Sequence, residues 1–143
     1  MTGAQASPIR RLERSAHAVD RWLERGLVSE GLTLADAHVL WIVAEHGQVP
    51  LAHLRETLDR HGSTMTGVLD RLETRGLLRR VTRPADRRAW DVAVSEEGRR
   101  VAGMFRARVD ELERRLVDRL GADGLAATLD GLDAIAETVA DDD

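Results

Sequence analysis

Apolar positions recur along this chain at two periods, and the change from one to the other marks out its elements. Ile9, Leu12, Ala16, Val19 and Leu23 stand three and four residues apart, which predicts a first helix from about Ile9 to Arg25, stopped by Gly26. Thr33 and Asp36 form a capping pair ahead of the dense run Val39-Leu40-Trp41-Ile42-Val43-Ala44. A second helix over Leu34 to Glu45 follows, ending at His46-Gly47 and apolar on more than one face, so it belongs inside the domain. Pro50 suits the first turn of a short third helix with Leu51, Leu54 and Leu58 inward. A fourth helix is expected from Gly62 or Ser63 to Arg75, with Met65, Leu69 and Leu72 on its core face and Val68 at the edge.

The period then shortens. Leu77-Leu78-Arg79-Arg80-Val81 and Trp90-Asp91-Val92-Ala93-Val94 predict two hairpin strands joined through Arg83 to Asp86, with Trp90, Val92 and Val94 on one face. Ser95, followed by Glu96 and Glu97, caps a long helix that carries Val101, Phe105, Val109, Leu112, Leu116 and Leu120. Gly121 closes it, and Asp123 caps a last helix with Leu125, Leu129, Leu132, Ile135 and Val139. No internal repeat interrupts this order.

The predicted fold class is mainly α with a small β-hairpin wing (α+β), a winged helix-turn-helix with flanking helices. Its 143 residues fit a single domain, 1–143, with 34–98 as the winged part. The segments 1–30 and 100–140 carry more apolar stripe than one such core can bury. They are expected to be dimerisation helices of a homodimer with paired reading heads.

Charge sharpens the expectation. The formal net charge is -4, yet residues 51–100 carry 11 Arg against 8 acids, and Thr74 to Trp90 hold six Arg and one Asp. The chain has no Lys, and the arginine fork matches phosphates and guanine edges. On the fourth helix Ser63, Thr64, Thr66, Gly67, Asp70 and Arg71 are left outward or at the flanks, where hydroxyls can meet phosphates or base edges and Gly67 admits close backbone approach. Capping alone is the competing reading for Ser63 and Thr64. At the hairpin tip Asp86 is expected to brace Arg88 or a neighbour while one guanidinium enters a minor groove, and Arg83 to meet phosphate. A plain solvated charge run is the alternative there.

Other chemistries find little support. Zero Cys excludes disulfides and thiolate sites in this chain. The five histidines, His17, His38, His46, His53 and His61, form no metal-spaced cluster, and no phosphate loop or nucleophile elbow occurs, so neither a metal, a cofactor nor catalysis is expected. No apolar run approaches membrane-spanning length and no leader stands at the start, so a cytoplasmic protein without a membrane partner is expected. Trp22, His38 and Trp41 could line an effector pocket between the terminal helices and the winged part, with plain core packing as the alternative.

The stretch Leu54 to Gly98 resembles the MarR family of bacterial winged-helix transcription regulators. The resemblance rests on Ser63-Thr64-Met65-Thr66, Leu69-Asp70-Arg71-Leu72-Glu73, Arg75-Gly76-Leu77-Leu78-Arg79-Arg80, Asp86-Arg87-Arg88, Val92-Ala93-Val94-Ser95 and Glu97-Gly98. It implies a homodimer on double-stranded DNA, a palindromic operator, the fourth helix in the major groove and a wing arginine in the minor groove, with Arg83, Arg87 and Arg88 as the DNA-binding candidates of the wing. It also implies release by small aromatic or lipophilic ligands. Arg60 stands where the family has a small apolar residue, and Asp59 where a turn glycine is common; Arg60 thereby becomes a candidate phosphate contact. A winged-helix protein-interaction module without DNA binding and a small ligand-binding helical protein remain the alternatives.

Overall fold

The computed structural model describes residues 7–60 and 64–140, with their side chains apart from those of Glu56, Arg60, Arg87 and Arg88. The chain runs α1 (Pro8–Arg25), a 3-10 turn (Val28–Glu30), α2 (Leu34–His46), β1 (Gln48–Pro50), α3 (Leu51–Arg60), α4 (Met65–Thr74), β2 (Leu78–Arg83), β3 (Asp86–Val94) and α5 (Glu96–Ala140). Pro8 opens α1, where its missing N–H costs nothing. At the head of α2 the expected capping box is complete: the Thr33 hydroxyl accepts from the Asp36 N–H at 3.2 Å, and the Asp36 carboxylate accepts from the Thr33 N–H at 2.9 Å.

Every described face of α2 is needed by the core, because Ala37, Val39, Leu40 and Val43 are all fully buried. Leu54 and Leu58 of α3, Val68, Leu69 and Leu72 of α4, and Val101 and Phe105 of α5 join the same core. Two expectations are corrected within it. Val68, not Met65, completes the buried stripe of α4, since Met65 lies in the first turn and is only half-buried. That helix also starts later, with Thr64 as its N-cap.

A three-stranded antiparallel sheet, ordered β1-β3-β2, closes one side. Its third strand was not expected from the sequence. Gln48, Val49 and Pro50 pair with Ala93, Val92 and Asp91, so Pro50 ends an edge strand instead of opening α3. An edge is where a residue lacking a backbone donor is tolerated. The wing hairpin is longer than its apolar alternation, reaching to Arg83 and Asp86, with an irregularity between Thr82 and Arg83. Polar alternation near the tip hides strand pairing that needs no core.

Gly98 has a packing role that its low helix propensity conceals. A Cβ there would stand 2.1 Å from the Leu77 carbonyl oxygen and 2.6 Å from Val94 Cγ2. Ser95 holds the junction: its hydroxyl donates to the Gly76 and Leu77 carbonyls and accepts from the Gly98 N–H at 3.0 Å. Further along α5, Gly121 adopts φ 70°, a left-handed break between two helical stretches at the predicted stop.

The chain divides into two compact units between Arg106 and Ala107. The first holds the core just described. In the second, Leu116, Val117, Leu120, Leu129, Leu132 and Val139 are all exposed.

Candidate nucleic-acid interface

The amphipathic division of α4 settles what it offers. With Val68, Leu69 and Leu72 turned into the core, Thr66, Gly67, Asp70 and Arg71 are exposed, as is the cap Thr64. The Thr64 hydroxyl accepts from the Gly67 N–H at 3.2 Å, which caps the helix. Gly67 serves that cap directly, because a Cβ on it would fall 2.9 Å from the Thr64 oxygen. Thr66 is different: its hydroxyl has no intramolecular partner among the described residues and is available to a ligand. An open groove of about 460 Å³ runs beside these threonines, lined by Arg55, Leu58, Asp59, Thr64, Met65 and Thr66.

Arg71 is not the loosely solvated cation that its position suggested. Its guanidinium grips Asp36, with Nε 3.1 and 3.0 Å from the two carboxylate oxygens and Nη2 2.7 Å from Oδ1. Asp36 is fully buried, whereas the Arg71 side chain is 40% exposed. The hydrogen bond to Asp36 holds the Arg71 guanidinium above its ordinary pKa, so its charge is locked in. Arg71 therefore fastens α4 to α2.

Arginines around it are tied down in the same manner. Arg75 donates to the Glu30 and Gly31 carbonyls, joining the end of α4 to the 3-10 turn. Arg80 of β2 bridges Asp70 at 2.6 Å and Glu73 at 3.0 Å, which fixes the wing against α4. Asp70 and Glu73 stand three residues apart on one helix face, a spacing that could have flagged a shared cationic partner.

Wing residue Arg83 donates to Asp91 at 2.7 Å, and Asp91 also accepts from the Gln48 side chain at 2.9 Å. The Gln48 bond first, then Arg83, holds the Asp91 carboxyl below its ordinary pKa. By contrast, Arg55 on α3 and Arg79 on β2 are exposed and make no ion pair or hydrogen bond among the described residues. Neither stood out in the sequence. Asp86 is exposed near the tip and has a partner of its own. Ser63 and the side chains of Arg60, Arg87 and Arg88 lie outside the described residues, and with them the bracing of Arg88 by Asp86.

Of the expected pocket residues, His38 and Trp41 come together in an aromatic cluster with Phe105. The His38 ring lies 6.4 Å from Trp41 and 5.0 Å from Phe105, and Trp41 lies 5.8 Å from Phe105. The Trp41 indole nitrogen is buried and has no hydrogen-bond partner among the described residues. Trp22 is half-buried near the end of α1.

A short helix seated on its predecessor, with an arginine-bearing antiparallel hairpin directly after it, defines the winged helix-turn-helix class. A MarR-family model matches residues 32–90, the stretch from the head of α2 into the second strand of the wing, so this part of the chain is similar to the MarR family of winged helix-turn-helix transcriptional regulators. In sequence it is similar to the HTH-type transcriptional repressor MdtR of Bacillus subtilis (strain 168), 32% identical over 69 residues. That match spans 48% of this chain and 44% of the length of the repressor. The crystal structure of the transcriptional regulator PA4135 superposes with a TM-score of 0.71 at 26% identity, covering 92% of this chain and 96% of that one. A cysteine-to-serine variant of MarR from E. coli, solved in complex with operator DNA, gives 0.72 at 25% identity over 90% and 94% of the two chains. The family is one of regulators, not enzymes. Among the described residues, no helix is long and apolar enough to cross a membrane.

Proposed function

We propose that this protein is a cytoplasmic, homodimeric repressor that binds a palindromic operator in double-stranded DNA. The reading helix is α4, laid in the major groove with Thr66 towards base edges or phosphates and the N-terminal turn near the backbone. The wing enters the adjacent minor groove through Arg87 or Arg88, while Arg83, Arg60 and Ser63 meet phosphate. The observation that carries this is the exposed, unpartnered Thr66 on a helix whose other face is wholly committed to the core, beside an arginine hairpin. The relatives support it, one titled a repressor and one solved with operator DNA.

Dimerisation rests on the exposed leucines and valines of the second unit, which a second copy would cover. Sedimentation should then give twice the chain mass of 15.8 kDa. Effector control rests on the His38–Trp41 cluster, where the buried indole N–H lacks an acceptor that a small aromatic or lipophilic ligand with one polar atom would supply.

A gel shift with the DNA upstream of the protein's own gene, repeated across salt concentrations, tests the reading. Retarded complexes that weaken steeply with salt are expected. The second reading, a protein-interaction module, is favoured by the internal pairing of Arg71, Arg75, Arg80 and Arg83. Absence of any retarded complex at low salt would favour it.

A further inference from the structure

Trp90 takes no part in the ion pairs and hydrogen bonds that fasten the wing. It is 42% exposed on β3, and neither its ring nor its indole N–H has a partner among the described residues. Single exposed apolar residues are ordinary. The position of this one is not. Trp90, Val92 and Val94 share one face of the hairpin, opposite Thr82, Arg80 and Leu78 of β2. From that face Arg80 reaches Asp70 and Glu73 of α4. Val92 and Val94 are buried there, whereas Trp90 lies nearer the wing tip and has run past the core. An indole thus stands on the α4-facing side of the wing, between the reading helix and the arginine tip.

Duplex geometry says what passes through that place. A major groove and the neighbouring minor groove are separated by one sugar–phosphate strand. A duplex holding α4 in the first and the wing tip in the second must lay that strand across the α4-facing side of the wing. The surrounding hairpin, with Arg79, Arg80, Arg83, Arg87 and Arg88, carries the charge that a polyanion requires.

We propose that Trp90 clamps this intervening strand: its Nε1–H donates to a phosphate oxygen and its ring covers the adjacent deoxyribose. The inference rests on the DNA reading above and adds to it a neutral, sequence-independent contact. Indole suits the place because one end is an apolar plate and the other a donor.

The test compares wild type with Trp90→Phe and Trp90→Ala, on the upstream duplex and on a short mixed-sequence duplex at low salt. Trp90→Ala should weaken both complexes by about tenfold, as loss of a hydrogen bond to a charged acceptor does. Trp90→Phe should fall between, and the salt slope should not change because no charge is removed. Emission present in wild type and absent from Trp90→Phe should be quenched when DNA is added. If Trp90→Ala binds both duplexes like wild type, the clamp is wrong while the DNA reading stands. Loss on the upstream duplex alone would make Trp90 a base reader and overturn the backbone role. If wild type binds neither duplex, the DNA reading itself fails and the clamp with it. Should Trp90→Ala melt early, Trp90→Phe carries the test through the missing N–H.

Discussion

Helix α4 and the wing each hold an arginine–aspartate pair closed at 2.7 Å, and the two arginines are equally exposed, Arg71 at 40% and Arg83 at 39%. Their acids differ. Asp36 is fully buried and also completes the capping box of α2, whereas Asp91 keeps 14% of its side-chain surface in water. A buried carboxylate left without its cation is costly, while a carboxylate at the surface is readily hydrated. The same pair of residue types is therefore a structural fastening under α4 and an adjustable contact in the wing. Position of the acid decides which.

The largest effect expected from this contrast is in stability. Arg71→Ala should cost about 3 kcal/mol in urea unfolding, because it leaves Asp36 buried and unpaired. If Arg71→Ala and Arg83→Ala unfold at the same urea concentration, the contrast does not hold.

Smaller effects should separate the hydroxyls at the start of α4. Thr64→Ala should lose about 1 kcal/mol with its cap, and Gly67→Ala should also destabilise by crowding the cap oxygen. Thr66→Ala should leave the melting temperature unchanged and weaken DNA binding in the gel shift. A stable Thr66 variant with full DNA affinity would remove α4 from the role of reader.

In the wing, Arg83→Ala should barely move the unfolding midpoint. It should lower affinity for all duplexes alike and reduce the salt slope by about one unit if Arg83 meets phosphate. A change confined to one DNA sequence would instead make Arg83 a base or groove reader.

The smallest effect is a titration. Asp91 should ionise below the ordinary carboxylate range in an NMR pH series, and both Gln48→Ala and Arg83→Ala should raise that value. Since its folded pKa is depressed, its contribution is present above the unfolded carboxylate pKa. It is lost as pH falls through the folded value. An unchanged value in Gln48→Ala would deny the Gln48 bond its part in holding Asp91 ionised.

Legibility followed the range of the interaction. Helix periods, the Thr33–Asp36 box, the Ser95 cap, the Gly121 stop and the winged order are all written within a few residues of one another. The buried cap acid drew attention only as a cap, because its arginine lies 35 positions away. Likewise the residues around Gly98 do not announce its packing role, since the Leu77 carbonyl that excludes a Cβ comes from another element. By helical periodicity Thr66 and Arg71 are alike, outward or flanking residues of one helix. Packing of α4 on α2 left the first free and bound the second.

Periodicity, capping residues and the arginine-rich hairpin determined by themselves the helices, the wing and the class of the protein, because those signals act over one or two turns. The tertiary structure decided which arginines are spent on the protein's own acids and which stay free. It also decided that Gln48–Pro50 joins the sheet and that Trp90 lies beyond the core. Each of those outcomes depends on groups distant in the chain meeting at hydrogen-bond or van der Waals distance, which only the folded backbone arranges.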